Sequence, residues 1–545
     1  MTTENAISTQ KTTQTAKPWL VSILLIIIVS FFLSWISNDF SSIQGWGSFF
    51  AINLLSAGLL GGGLWLLRNE NLPGWLIKLV IAGALIRLAF GAIWFIALPL
   101  WGHGTEAETA GYVMADAGNR DTAAWKLAQS NKPLSNAFQN NRASDQYGGL
   151  LFFSAAIYRT LGGNSHQPLL LVSITASFSA LAIAFTWAFT RRAWNDQTAR
   201  LAAWIIAIFP EAVLIGSSQM REAFTITLGI AAFYGLLVYQ NDHKPISLAW
   251  LIVPLLLYLP FSPPFAAMLV GMLGITAAYP LLTRFQFRSG SWRLWLTILI
   301  LALLAFLGLW LTLRQFTPAG MNNPLEMLTW WLRKSATLQA LLSKNASGWL
   351  QKTFKMIPEW AQLPLLVTYG ILQPFLPAAL VVSSQAPIWP WITALRSIGW
   401  TLLLVLLIYS PFLAFRTRGN NSQLARVISL VVWIGILIAS LRGGGDMWDN
   451  PRYRSAFLGI QAGLAAWAWF EHRRVNDPWL RRFGLGMAAI LAWFIPWYMR
   501  RYLGLNWPVG DLFTTIGAGM LSAILIILWD WARTRKKRLL HTPPE

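Results

Sequence analysis

Residues 168–192 read PLLLVSITASFSALAIAFTWAFTRR, and this stretch decides the fold class. Its first 23 residues, 168–190, carry no ionisable side chain, and Arg191 and Arg192 follow at once. An α-helix needs about 20 mostly apolar residues to cross the hydrocarbon core of a bilayer. The stretch therefore predicts a transmembrane helix that ends at a basic boundary.

The same pattern recurs along the whole chain. The predicted spans are residues 19–37, 48–67, 75–101, 168–190, 201–217, 223–239, 247–260, 264–282, 292–313, 392–415, 427–441, 457–470, 485–498 and 511–531. Composition agrees, because 55% of the 545 residues are hydrophobic and only 12% are charged. The sequence predicts an all-α polytopic membrane protein with about fourteen transmembrane helices (about 13 to 16) and interfacial helices in two long outer loops.

Basic residues predict the orientation. Lys and Arg concentrate in alternate connections, which the positive-inside rule places in the cytoplasm. The short connections on the other side hold few: Arg221, Arg442, Arg452, Arg454, Arg500 and Arg501. Both termini are then cytoplasmic, in a multi-pass protein of the cell (cytoplasmic or inner) membrane. Two apolar pieces must lie at the outer surface: residues 150–161 are too short to span, and prolines interrupt residues 363–382.

The predicted organisation has a transmembrane core at its centre. Its parts are a cytoplasmic tail (1–18), an additional N-terminal transmembrane hairpin (19–67), the core (68–470) with outer loops 102–167 and 315–391, C-terminal transmembrane helices (471–532) and a basic cytoplasmic tail (533–545). The two outer loops hold most of the polar residues that are not topology signals. Loops of this length are usually functional, so we expect the site there.

The sequence lacks the residues needed for cysteine chemistry, for ATP hydrolysis by a phosphate-binding loop and for a zinc site. There is no cysteine, and no phosphate-binding loop ending in Gly-Lys-Ser/Thr. The histidines show no ligand spacing, so no zinc site is predicted. The net charge of +21 would suggest nucleic acid in a soluble protein, but here the positive residues cluster at helix ends as topology signals. Nucleic acid is therefore not an expected partner.

Ionisable residues inside the spans are sparse. Only Arg87 lies clearly in mid-span, and Glu211 lies nearer an outer end. A buried charge in a membrane often marks function. The alternative is that Arg87 pairs within the protein, either with a carboxylate or with backbone carbonyls.

The first outer loop supplies candidate carboxylates. Asp121 precedes Thr-Ala-Ala-Trp, so it is either a catalytic base or a helix N-cap, and the spacing alone favours the cap. Asp145 has the same ambiguity before the apolar piece 150–161. Glu106 and Glu108 could bind a divalent cation through oxygen, which leaves such a cation as a possible cofactor.

Two outer turns carry further polar groups. Arg221 and Glu222 face the same compartment as Asp121, either as site residues or as the cap of a helical hairpin. Residues 443–454 read GGGDMWDNPRYR. Arg452 and Arg454 flank Tyr453 after a glycine run, which suits a phosphate or pyrophosphate. The alternative is that the two arginines only anchor the chain at the membrane interface.

With these residues the chain resembles the GT-C class of integral-membrane glycosyltransferases, which includes protein mannosyltransferases and lipid A aminoarabinose transferases. The matching pieces are DTAAWKLA (121–128), the interfacial segment from Tyr147-Gly148 to YRTLG (158–162), FPE (209–211) with MREA (220–223), and NPRYR (450–454). The resemblance covers roughly residues 75–470 and leaves 19–67 as an N-terminal addition.

The resemblance implies transfer of a sugar from a polyprenyl-phosphate or pyrophosphate carrier to an acceptor on the non-cytoplasmic face. In such enzymes an acidic residue of the first outer loop is the base, and basic residues hold the carrier phosphate. Here Asp121 becomes the preferred base and Asp116 the second, while Arg452 and Arg454 become phosphate binders. The tyrosine usual four positions after the acidic residue is replaced by Trp125.

Other functions stay open at this point. A transporter or lipid flippase would need a polar path with paired charges in mid-membrane. A polymerase or ligase of surface polysaccharides would use the same lipid-linked donors, and a GT-C-like scaffold without catalysis is a third alternative. The expected partners are a polyprenyl-phosphate-linked sugar, an acceptor of unknown kind (lipid, glycan or protein) and membrane lipids.

Overall fold

The computed structural model describes residues 18–139, 144–284, 291–317, 321, 323, 325–327, 329–330, 333, 348–443, 448–505 and 510–541. Within these ranges every regular element is a helix, and no strand is present. The predicted all-α class is therefore confirmed.

The α-helices are numbered here in chain order. They are α1 Pro18–Ser37, α2 Trp46–Leu66, α3 Gly74–Trp101, α4 Glu106–Thr109, α5 Ala115–Gln129, α6 Gly149–Leu161, α7 Pro168–Ala193, α8 Asp196–Ile208, α9 Pro210–Gly216, α10 Arg221–Asp242, α11 Ala249–Tyr258, α12 Pro263–Arg284, α13 Ser291–Phe316, α14 Gly348–Met356, α15 Glu359–Leu372, α16 Leu376–Val381, α17 Ile388–Arg416, α18 Asn420–Arg442, α19 Arg452–Ser455, α20 Leu458–Arg474, α21 Trp479–Leu503 and α22 Leu512–His541. Short 3₁₀ turns occur at Arg68–Glu70, Leu134–Phe138 and Pro245–Leu248.

Nine helices of the described ranges are long and apolar enough to cross a membrane, and the bent pair α8 and α9 would make a tenth. The chain is thus a multi-pass membrane protein. Each predicted span falls on a helix or on this bent pair, but the predicted number of about fourteen is not confirmed. Helices α11 and α12, for example, provide apolar stretches shorter than 18 residues.

Helices α7 and α10 form the centre of the bundle. They pack along each other, and α3, α8 and α20 surround them. In α7 and α10, 94% and 100% of the residues in the apolar 18-residue stretch are buried. In α1 and α22 the shares are only 17% and 22%. A Cβ atom on Gly235 would lie 2.3 Å from the Trp250 carbonyl oxygen, so α11 approaches α10 closely because that residue is glycine.

The bend between α8 and α9 explains the buried Arg87. The two helices meet at 54° at Phe209-Pro210. Proline has no N–H, so the carbonyl of Ile206, four residues earlier, lacks its helical donor. Arg87 Nη2 donates to that carbonyl at 3.0 Å, and Nη1 donates to the Gly83 carbonyl at 2.9 Å. Of the two pairings that the sequence allowed, the one with backbone carbonyls is confirmed.

The connections predicted to lie on one side do meet at one end of the bundle. At the outer end, Arg120 of α5 donates to the Gln219 carbonyl before α10 (3.4 Å). At the opposite end, Glu70 after α2 accepts from Arg192 of α7 (2.5 Å) and from Tyr234 of α10 (2.8 Å). The alternation of sides read from the basic residues is therefore present in the structure.

The two apolar pieces assigned to the outer surface do not form long helices. The first is α6, with 13 residues. The second contains α15 and α16, which are separated at residues 373–375. Helix α15 packs against α18, and α16 packs against α17 and α21. Neither piece is a continuous span, as the sequence predicts.

Candidate active site

Asp116 lies in the first turn of α5, where a helix N-terminus favours a carboxylate. Its side chain is 47% exposed, and its Oδ2 atom lies 2.6 Å from Arg452 Nη2. Burial raises the pKa of Asp116, but the charge and hydrogen bond of Arg452 outweigh it and hold the pKa below its ordinary value. Asp116 is thus a carboxylate that stays ionised and still faces solvent.

Arg452 joins three carboxylates at the start of α19. Asp116 lies 2.6 Å away, Asp449 lies 3.1 Å from Nη1, and Glu222 of α10 lies 4.0 Å from Nε. Burial alone would lower the pKa of Arg452, but the surrounding negative charge, that of Glu222 first, raises it. We name these four residues the open cluster. The charge of Arg452 is compensated within it, so the arginine orders the acidic groups.

Arg454, two residues further on, points away from the open cluster. Residues i and i+2 of a helix do not share a face. The Arg454 guanidinium is buried 3.5 Å above the Trp400 ring and donates to the Gly370 carbonyl at 3.1 Å. The structure does not bring Arg452 and Arg454 together, and Arg454 packs the loop against α15 and α17.

Arg221 and Tyr453 meet in a narrow space next to the open cluster. This arginine pocket is lined by Tyr147, Arg221, Glu222, Thr225, Tyr258, Ser262, Phe265, Arg442, Tyr453 and Ala456. The Arg221 guanidinium lies 4.8 Å from the Tyr147 ring centre, and that of Arg442 lies 5.2 Å from the Tyr453 ring centre. Within the described residues no acceptor makes a hydrogen bond with the buried Arg221 Nη1.

The arginine pocket is closed around a small volume. It measures about 20 Å³, which is room for one water molecule. Helix α10 begins at Arg221 without a side-chain cap, so the alternative in which Arg221 and Glu222 cap a hairpin is wrong.

Asp145 supports the start of α6. Its Oδ2 atom accepts from the backbone N–H of Leu151 at 3.0 Å, and the side chain is almost wholly buried. Arg120 Nε and Arg221 Nη1 lie 3.7 and 3.9 Å from Oδ1. Asp145 is not the N-cap of α6, because Gly148 holds that position, but it accepts from an N–H of the first turn and lies close to Arg221.

Asp121 is neither exposed nor an N-cap. It lies inside α5, is 1% exposed, and accepts hydrogen bonds from Tyr158 (2.7 Å), His166 (2.8 Å) and Tyr112. The N-cap interpretation is therefore wrong, because the helix begins six residues earlier. We name Asp121 and its three partners the closed cluster. No sequence pattern indicates these partners, which lie 9, 37 and 45 residues away.

The two glutamates considered for a cation have separate surroundings. Glu108 is buried and accepts from the backbone N–H groups of His103 (2.8 Å) and Thr105 (3.2 Å) in a capping box, and from Trp389 Nε1 (2.6 Å). Glu106 is exposed. Within the described residues no three His, Asp or Glu side chains converge on a metal position.

A larger cleft opens between the two long outer loops. This outer cleft has a volume of about 880 Å³. Its lining comes from α4, α5, the segment after α16 and the start of α17: His103, Thr105, Glu106, Ala107, Glu108, Ala110, Tyr112, Val113, Ala115, Gly118, Asn119, Thr122, Ala379, Val382, Ser383, Ser384, Gln385, Trp389, Pro390, Thr393 and Trp448. Asp116 is part of the α5 turn that borders it.

A buried ion pair holds the loop that precedes Arg452. Arg396 of α17 makes two hydrogen bonds to Glu211 of α9, at 2.6 and 3.0 Å. Its Nη1 atom also donates to the Trp448 carbonyl at 2.9 Å. Sequence reasoning noted Glu211 but missed Arg396, since residues 185 positions apart carry no shared pattern.

The sequence matches no protein-family model and has no detectable similarity to a curated protein. The structure is similar to the archaeal oligosaccharyltransferase AglB from Archaeoglobus fulgidus in complex with an inhibitory peptide and a dolichol-phosphate. Identity is 14%, the TM-score is 0.40, and the match covers 83% of this chain and 55% of that one.

A second structure of the Archaeoglobus fulgidus oligosaccharyltransferase, tethered to an acceptor peptide containing the NVT sequon via a disulfide bond, gives 15% identity and a TM-score of 0.41, with 83% and 55% coverage. The apo form gives 13% and 0.41, with 82% and 56% coverage. This chain thus spans about half the length of that enzyme. The similarity is weak and assigns no role to any residue here.

Proposed function

We propose that this protein is a membrane glycosyltransferase of the GT-C type, which moves a sugar from a polyprenyl-phosphate or pyrophosphate carrier to an acceptor at the outer end of the bundle. The observation that carries the proposal is the position of Asp116. It is an ionised, half-exposed carboxylate beside Arg452; its neighbours Ala115 and Asn119 line the outer cleft, and Arg452 also contacts Glu222 of the arginine pocket. The resemblance of the sequence to this class supports the same reaction.

Asp116 is the proposed general base, in preference to Asp121. A base must reach the proton that it takes, and a positioned base contributes roughly a hundredfold to ten-thousandfold to the rate. Asp116 has solvent access, whereas three donors and the surrounding protein enclose Asp121. The resemblance made Asp121 the preferred base and Asp116 the second, and this proposal reverses that order.

The reaction is a single displacement at the anomeric carbon. The acceptor hydroxyl gives its proton to the Asp116 carboxylate, and its oxygen forms the new glycosidic bond. The bond between the anomeric carbon and the carrier phosphate oxygen breaks, and its electron pair leaves on that oxygen. No oxidant or reductant is needed, and the products are the glycosylated acceptor and the carrier phosphate.

The arginine pocket is the proposed phosphate site. Arg221 and Arg442 supply positive charge there, and guanidinium groups form strong, directional bonds to phosphate oxygens. Arg221 Nη1 lies 3.9 Å from Asp145 Oδ1 but makes no hydrogen bond with a described residue, so it can donate to a phosphate without breaking one. Arg452 pairs with Asp116 and Glu222 and so holds both carboxylates in position. Arg454 has a packing role.

The orientation in the membrane belongs to the same proposal. The outer end faces the non-cytoplasmic side of the cell membrane, and both termini are cytoplasmic, because the opposite end carries most Lys and Arg. A transporter is disfavoured because the mid-span Arg87 pairs with backbone carbonyls and not with a carboxylate.

Native mass spectrometry in mild detergent tests the phosphate site. The protein is titrated with a polyprenyl phosphate, and the bound fraction is compared with that of Arg221→Gln. Loss of a charge-assisted hydrogen bond costs about 1.5 to 3 kcal/mol, so affinity should fall roughly tenfold to a hundredfold.

The matched control is Lys126→Gln, which removes an exposed positive charge of α5 from the same end of the molecule. It should bind the lipid as the unmodified protein does. Equal binding by Arg221→Gln and the unmodified protein, or equal losses in both variants, would contradict a specific phosphate site.

A further inference from the structure

We propose that the outer cleft binds a neutral, hydroxyl-rich glycan, and that this glycan is the acceptor. The assignment of acceptor rests on the proposed function, whereas binding of the glycan does not. The cleft volume of about 880 Å³ lies within the range of sites that enclose small-molecule ligands, about 300 to 1,000 Å³. Its lining comes from the outer loops and from the first turns of α17, so it lies at the end of the bundle.

The charges around the cleft select against an anionic ligand. Among the described lining residues there is no Lys or Arg, and the acidic members are Glu106 and Glu108. Glu108 is occupied by its capping box and by Trp389, so Glu106 remains as an exposed negative charge. A phosphorylated or carboxylated ligand would meet like charge without a compensating cation.

Neutral polar groups make up the rest of the polar lining. Besides Thr105 and Tyr112, they are Asn119, Thr122, Ser383, Ser384, Gln385 and Thr393. Amides and hydroxyls both donate and accept, so they can satisfy a ligand in which every hydroxyl does the same. A purely apolar ligand, such as a lipid chain, would instead leave these groups without partners, which is unfavourable.

Two tryptophans give the cleft a rigid aromatic surface. Trp389 and Trp448 meet edge to face with ring centres 4.6 Å apart, and His103 stacks on Trp389. The hydrogen bond from Trp389 Nε1 to Glu108 fixes the first ring. Flat aromatic groups next to polar ones suit a ligand with one apolar face and a hydroxyl rim, and a sugar ring has both.

The described lining offers little to a peptide. Extended peptides bind by adding a strand to a sheet edge, and helical ones bind in apolar grooves. Here the lining comes from helices and turns with a polar surface, and the described ranges contain no strand. We therefore favour a glycan over a peptide, and a peptide is an outcome of the test.

The cleft also directs its ligand toward Asp116. Ala115, Gly118, Asn119 and Thr122 line it, which are positions i, i+3, i+4 and i+7 of α5 and so form one stripe. Asp116 lies beside the first turn of this stripe, next to Asn119 on the helix surface. A hydroxyl of a glycan held by the stripe is thereby brought to the proposed base.

Binding of the full-length protein in mild detergent to an immobilised array tests the inference without any donor lipid. The array contains neutral oligosaccharides, oligosaccharides that carry uronate or phosphate groups, and peptides. We expect binding to neutral oligosaccharides, and about tenfold weaker binding by the double variant Asn119→Ala/Thr122→Ala, because two exposed hydrogen-bonding groups are lost. Trp448→Ala should weaken the same binding.

The matched control is Trp391→Ala, which removes an exposed indole two residues along α17 from Trp389 and outside the cleft lining. It should bind as the unmodified protein does. Preference for anionic glycans or peptides, absence of binding to every neutral glycan, or full binding by the double variant would overturn the inference. If neutral glycans bind in the cleft but no transfer to them occurs with any lipid-linked donor, the proposed function fails while the binding site stands.

Discussion

Two regions of helix α5 differ in a way that separates a candidate base from a structural carboxylate. In the open cluster, Asp116 pairs with Arg452 and keeps 47% of its side chain exposed. In the closed cluster, five residues further along, Asp121 is 1% exposed and accepts from Tyr112, Tyr158 and His166. In a chain with few charges both look functional. Only the open cluster leaves a carboxylate that a substrate can reach.

The largest effect should follow from Asp116→Asn. The amide cannot take a proton from the acceptor, so turnover should fall by roughly a hundredfold to ten-thousandfold. Binding of the polyprenyl phosphate should persist, since the arginine pocket is intact. The measurement is the rate of sugar transfer from a lipid-linked donor in detergent, together with lipid binding to the same sample.

Asp145→Asn is the informative companion to this variant. Asp145 is buried and accepts a hydrogen bond from the backbone N–H of Leu151. A loss of turnover equal to that of Asp116→Asn, in a sample that remains folded, would remove the distinction between exposed and enclosed carboxylates.

The pH dependence sharpens the same comparison. Arg452 holds the pKa of Asp116 below its ordinary value, so the base is ionised over most of the accessible pH range. In Arg452→Gln the positive charge is gone and the pKa of Asp116 rises. The acid side of the pH–rate profile should therefore move to higher pH. Arg452→Lys keeps the charge and should keep the profile nearer to that of the unmodified protein. An unchanged acid side in Arg452→Gln would separate Asp116 from the reaction.

Much of the fold could be predicted from the sequence because lipid imposes a strong pattern. Long apolar stretches such as residues 168–190 give helices with the expected bounds. The number of spans was less predictable, because the length of apolar stretches near the limit, as in α11 and α12, does not decide whether they cross. Sequence reasoning also anticipated that the outer loops meet at one end, since positive charge reports the side of each connection.

The candidate site was predicted only in its residue types. Asp116, Glu222 and Arg452 were all named, but their convergence depends on helices more than a hundred residues apart. The same limit hid the enclosure of Asp121, because Tyr158 and His166 contact it only through tertiary packing. Exposure separates the two aspartates, and the sequence of α5 alone does not show which of its faces the neighbouring segments cover.

The smallest effect on turnover, and a clear effect on stability, should follow from Asp121→Asn. Asn is uncharged and presents one acceptor oxygen in place of two, so at least one of the three donors of the closed cluster loses its partner. Hydrogen bonds to a charged group contribute about 1.5 to 3 kcal/mol, and the variant should unfold at a lower temperature than the unmodified protein by a readily measured amount.

Transfer per folded molecule should fall far less in Asp121→Asn than in Asp116→Asn, because the Asp121 side chain is buried and three donors occupy it, although one of them, Tyr112, lines the outer cleft. The two variants are therefore compared by thermal unfolding in detergent and by turnover of the folded fraction. Normal stability with turnover abolished would make Asp121 the base, and the tyrosines and His166 would then be its orienting groups. Reduced stability with turnover largely kept would instead assign the closed cluster to holding α5, α6 and the segment before α7 together, so that Asp116 is presented at the cleft.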